Sequence, residues 1–149
     1  MPKATDAKIC STALWYIRRH AMAPKDWRWT LLANAHPEVL ALVHLDPGEL
    51  PVVSFFRSEV SWYLLTTRRV LGSYSHETID VNVLDVVESH FGDFKGYKEA
   101  IDVMTLKTSS GAAVELEFET SNASMAPIYF MRYWDQKYPF LDKLRDGLK

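Results

Sequence analysis

IDVMTLKTSSGAAVELEFET, residues 101–120, is the stretch that decides the fold class. In its second half Val114, Leu116 and Phe118 alternate with Glu115, Glu117 and Glu119. A period of two is that of a half-buried strand, and two such runs joined through Ser-Gly form an antiparallel hairpin. A three-residue loop, Ser110-Gly111-Ala112, sets Met104 opposite Phe118 and Leu106 opposite Leu116 on the core face, with Lys107 opposite Glu115 on the wet face. Slipping the pairing by one residue would bury glutamates, so the alternation itself protects the facing.

Downstream, Ser124 can cap a helix and Pro127 is tolerated in its first turn. Ile128, Met131, Trp134, Tyr138 and Leu141 recur at helical spacing, with a kink or break expected at Pro139 and a stop at Gly147. Upstream, Val52–Phe56, Ser61–Thr66 and Arg69–Tyr74 are rich in β-branched and aromatic residues, and Thr66-Thr67-Arg68 reads as a tight antiparallel connection. Thr78–Val87 reads as one further strand. The apolar run Val39–Leu45 ends in the turn signal Asp46-Pro47-Gly48. Residues 5–21 read as an amphipathic helix capped at Thr5 or Asp6, with Cys10, Ala13, Leu14, Ile17 and Ala21 on its apolar face. Between them, Trp29–Ala35 reads as a helical turn or two. The order is helix, six or seven antiparallel strands, helix: an α+β chain, mainly antiparallel β, in which the last helix covers the open end of a bent sheet.

Composition agrees with a globular domain. The chain has 149 residues, 48 % hydrophobic and 24 % charged, with a formal net charge of −2. That balance excludes wholesale disorder and disfavours a nucleic-acid-binding protein. Cys10 is the single cysteine, so no internal disulfide is possible, and a reducing, cytoplasmic setting is expected. No apolar run approaches the roughly 20 residues of a membrane-spanning helix.

The stretch Trp62-Tyr63-Leu64-Leu65-Thr66-Thr67-Arg68-Arg69-Val70-Leu71 resembles the strand–turn–strand of bacterial pleckstrin-homology-like (PH-like) domains. Ile79–Val87, the hairpin and the helix from Ser124 resemble the elements that follow in that family. The resemblance implies a PH-like domain over residues 38–149: a partly open barrel closed by a C-terminal helix, generally without catalytic activity. Residues 1–37 are then a helical extension packed on it.

The chemistry-bearing residues form no catalytic or metal pattern. His76, Glu77, Asp80, His90 and Asp93 lack triad or metal spacing, and His36 and His44 are eight apart across a proline. Neither catalytic residues, nor a metal, nor a cofactor is expected. A lipid headgroup would need several converging cations, whereas the comparable turn, Phe56-Arg57-Ser58-Glu59, holds one Arg and one Glu. Arg68 and Arg69 read as a turn held by carboxylates such as Glu77 or Asp80.

Two features suggest a surface for a partner. Glu115, Glu117 and Glu119 form an acidic row, which reads either as a solvated face or as a strip for a cationic protein. Tyr129, Phe130, Tyr133 and Phe140 fall off the apolar stripe of the last helix, which reads either as contact with the N-terminal extension or as an aromatic interface. The expected function is that of a non-enzymatic protein-interaction module, for instance an inhibitor or immunity protein binding a basic partner through Glu115, Glu117, Glu119, Tyr129 and Tyr133. The alternatives are a membrane-surface adaptor binding anionic lipid headgroups and an enzyme. A partner protein is expected, and no nucleic acid.

Overall fold

Thr5 starts helix α1 (Asp6–His20) by accepting the Lys8 N–H at 3.1 Å through its hydroxyl. From there the computed structural model, which describes residues 5–137, runs through β1 (Thr30–Leu32), α2 (Pro37–Leu40), β2 (Pro51–Ser58), β3 (Ser61–Thr66), β4 (Arg69–Tyr74), β5 (Glu77–Asn82), β6 (Val86–His90), β7 (Ile101–Thr108), β8 (Ala113–Glu119) and α3 (Met125–Lys137). The strands form two antiparallel sheets, β1-β2-β3-β4-β5 and β6-β7-β8, which do not close into one barrel. The fold is therefore α+β and mainly antiparallel, with eight strands among the described residues where the pattern suggested six or seven.

Strand β3 shows why the sheets stack. All six of its residues are buried, so its sequence carries no hydrophobic–polar alternation. Tyr63 and Leu65 point into the main core with Val53, Phe55, Met104, Leu106, Leu116 and Phe118 from both sheets. Trp62 and Leu64 point the other way, into a second cluster with Leu71 and Val39 of α2. This second cluster gives the apolar run Val39–Leu45 its place: Pro37 opens one helical turn, and Val39, Val43 and Leu45 cover the outer face of the larger sheet.

At Gly72 the two sheets approach closely. A Cβ there would stand 2.5 Å from Leu116 Cδ2 and 2.8 Å from the Trp62 carbonyl oxygen. The side chain could give way, but the backbone oxygen could not. Gly72→Ala should therefore destabilise by about 1–3 kcal/mol, the range for overpacking a filled core. A urea melt matching wild type would refute this contact.

Three readings are corrected. The hairpin pairs Met104 with Leu116, Leu106 with Val114 and Lys107 with Ala113, one loop position away from the expected register. The loop is Ser109-Ser110-Gly111, closed by the Thr108 N–H on the Ala112 carbonyl at 2.8 Å. Its last position has φ +91, which puts Gly111 there. The shift is even, so the apolar face still points inward. Residues 30–32 are a strand on the edge of the larger sheet, not a helical turn, with Thr30 opposite Phe55. The run Thr78–Val87 is broken, because Asn82 accepts the Leu84 N–H at 2.9 Å and caps a 3-10 turn over Val83–Asp85 that carries the chain to the second sheet.

Helix α3 lies against the core through Phe130, Met131 and Trp134, and α1 packs on it through Ala13, Leu14 and Ile17. Phe130 is fully buried, which corrects its place off the stripe. Ser124 does not cap α3 but donates to the Ser121 carbonyl at 2.6 Å within a preceding 3-10 turn. Tyr138, Pro139, Phe140, Leu141 and Gly147 lie outside the described residues.

Candidate functional site

The Thr-Thr-Arg-Arg turn between β3 and β4 is a structural hub. Arg69 grips Glu49 with both ends of its fork, at 2.7 and 3.0 Å, and reaches Asp80 at 3.1 Å. Arg68 grips Asp6 of α1 in the same bidentate way, at 2.7 and 3.0 Å. Thr66 donates to Glu49 at 2.6 Å and Thr67 to Asp6 at 2.6 Å. Asp80 thus serves as expected, Glu77 does not, and two carboxylates distant in sequence do most of the holding. The Arg68 hydrogen bonds keep the Asp6 carboxyl below its ordinary value against its partial burial. Burial alone would raise Glu49, but the Arg69, Thr66 and Asp46 donors outweigh it and hold it low.

The acidic row divides. Glu115 is exposed, opposite Thr105 rather than Lys107. Glu117 takes Arg57 at 3.0 Å and accepts the Ser61 hydroxyl. Glu119 accepts the backbone N–H groups of Arg28 and Trp29 and the Thr30 hydroxyl, at 2.8, 2.9 and 2.7 Å. The expectation of three free carboxylates is corrected: Glu117 and Glu119 fasten the smaller sheet to the larger one. Lys107 pairs with Glu88 at 3.5 Å.

Tyr129 and Tyr133 face α1. The Tyr133 hydroxyl meets that of Thr12 at 3.0 Å, and the Tyr129 ring stacks on His20 at 4.0 Å with its edge toward Tyr16. They serve the contact between α1 and α3, and Tyr129 also reaches a cleft on the far side.

That cleft, about 710 Å³, runs between the C-terminal end of β6 with its following loop and one face of α3. The volume lies within the usual range of binding sites. Ser89, His90, Phe91 and Phe94 form one wall. Met125, Ile128, Tyr129 and Arg132 form the other, spaced as neighbours on one helical face. Both walls are fixed. Phe91 sits edge-on to buried Phe118 at 5.7 Å. The loop is held by the Asp93 N–H on Asp102 at 2.6 Å and the Ser121 N–H on the Phe94 carbonyl at 2.8 Å. Arg132 is exposed and lies 5.2 Å over the Tyr129 ring. Strand β6 is an edge of its sheet. A largely apolar trough beside a sheet edge, with Arg132 and Asp135 also lining it, can hold an extended peptide. The sequence reading missed this cleft. Its signal was the set Met125, Tyr129 and Arg132 beside Ile128 of the apolar stripe, which itself lines the cleft.

The remaining polar residues have structural places. Ser75 and His76, both with positive φ, form the turn between β4 and β5. His36 Nδ1 meets the Ser54 hydroxyl at 2.7 Å, and burial pushes its pKa down. The Cys10 thiol faces the Pro51 carbonyl at 3.8 Å, and burial pushes its pKa up. His90 Nε2 lies 2.9 Å from Glu88. Among the described residues no three His, Cys, Asp or Glu side chains converge as a metal site. Nor is any helix there long and apolar enough to cross a membrane. Comparison of the chain with protein-family models, with curated proteins and with solved structures finds no match in any of the three.

Proposed function

We propose that the chain is a non-enzymatic protein-interaction module of the PH-like class that receives an extended segment of a partner protein in the cleft between β6 and α3. The observation that carries this reading is the pairing of a sheet edge with an apolar helix face across one trough. An edge strand offers backbone donors and acceptors to an added strand, while the trough selects its side chains. The run of four antiparallel strands, three antiparallel strands and a helix from β2 to α3 supports the PH-like assignment. The acidic row is left out of the site because two of its three carboxylates are engaged within the fold. A lipid-headgroup role draws no support from Arg57, Arg68 and Arg69, each of which is paired with a carboxylate.

The test is selection of displayed random peptides on the full chain. Selected peptides should be extended and apolar. Met125→Arg, which puts a charge on the helical wall of the trough, should weaken their binding at least tenfold, about 1.4 kcal/mol. Equal affinity for wild type and a folded Met125→Arg variant would remove the cleft from the function.

A further inference from the structure

We propose that the outward face of α1 docks on an anionic membrane surface, independently of the cleft. The helix is seated on the core by Ala13, Leu14 and Ile17. Its opposite side carries Lys8, Ser11, Trp15 and Arg18 in one stripe at steps of three and four, and Met22 follows just past the helix end. Trp15 is 62 % exposed and Met22 64 %, the two most exposed large apolar side chains of this segment. Arg19 lies over the Trp15 ring at 4.8 Å. Between the helix and Leu50 an open groove of about 630 Å³ adds apolar surface, rimmed by Arg18 and Arg19.

Charge identifies the occupant. The outward face of α1 holds Lys8, Arg18 and Arg19, with no carboxylate among residues 7–22, in a chain of net charge −2. Among the described residues none of these three side chains makes an ion pair, whereas Arg57, Arg68 and Arg69 on the larger sheet all do. An exposed indole beside an unpaired lysine and two unpaired arginines, with an exposed thioether just past the helix end, matches a bilayer interface. Acyl chains take the apolar tips there, and anionic headgroups meet the cations. No headgroup pocket is required. The net negative charge of the rest of the chain would orient this face toward the membrane.

The experiment is co-sedimentation of the full chain with vesicles of phosphatidylcholine, with and without about one-third phosphatidylserine. The anionic vesicles should bind at least tenfold more protein, with the gain shrinking as salt rises. Arg18→Glu with Arg19→Glu should lower partitioning at least tenfold, on a scale of about fivefold per basic residue. Trp15→Ser should lower it several-fold. These side chains face solvent, so the variants should stay folded, the double reversal melting slightly lower because it sets two anions at the C-terminal end of α1. If the double reversal melts lower, Lys8→Glu supplies a second reversal on the same face, away from the Trp15 ring and the helix C-terminus. Equal sedimentation with both kinds of vesicle, or undiminished binding by a folded charge-reversed variant, overturns the proposal. Binding to soluble polyglutamate without any gain on anionic vesicles overturns it too, and gives the face to an acidic polypeptide.

Discussion

Trp134→Ala should cost about 3–5 kcal/mol in an equilibrium urea melt, the range for removing a large aromatic from a core. Trp134 is 3 % exposed, and its ring meets Phe130 at 6.4 Å and Tyr133 at 5.3 Å. It joins the core made by both sheets with the helix that closes them, so its loss leaves a cavity between elements that cannot easily collapse together. A cost under about 1 kcal/mol would mean that α3 is not seated on this core.

Glu49→Ala should be nearly as severe, at about 3 kcal/mol, the lower end of the range for breaking a buried ion pair. The Glu49 side chain is fully buried and accepts Arg69 twice, Thr66 and the Asp46 N–H. Arg69 keeps Asp80 and some solvent, which limits the loss. The pair also predicts a pH dependence. The folded-state pKa of Glu49 lies below its ordinary value of 4.5. Its stabilisation is therefore fully present above pH 4.5 and is lost as pH falls through the folded value. Asp6, held low by Arg68, acts in the same direction. The stability gap between wild type and Glu49→Ala should narrow in acid. A gap that stays constant from neutral pH down through the carboxylate range would contradict the assignment.

The parts of the fold legible in the sequence are those with a strict period. Val114, Leu116 and Phe118 alternate with glutamates, and the structure turns them inward; α1 buries the face its spacing named. Register was harder, because one glycine's positive φ moves the loop by one position without disturbing the facing. Strand β1 has three residues and no alternation to read. The Val39–Leu45 run is apolar for a reason a strand would share, burial against a sheet. The acidic row was legible as a face but not as a fastening, since the donors to Glu119 come from residues 28–30 and those to Glu117 from Arg57 and Ser61. The cleft joins a loop to the flank of a helix, and sequence spacing shows only the helical half.

The central claim, that a partner segment adds to the β6 edge beside α3, is tested most directly by amide hydrogen exchange of the full chain with and without a saturating selected peptide. The account predicts new protection at the amides of β6 and the loop through Phe94, and along α3 from Met125 to Arg132, with little change in β2 to β5. Protection confined to the face of α1, to Glu115 on β8, or to the larger sheet would contradict it.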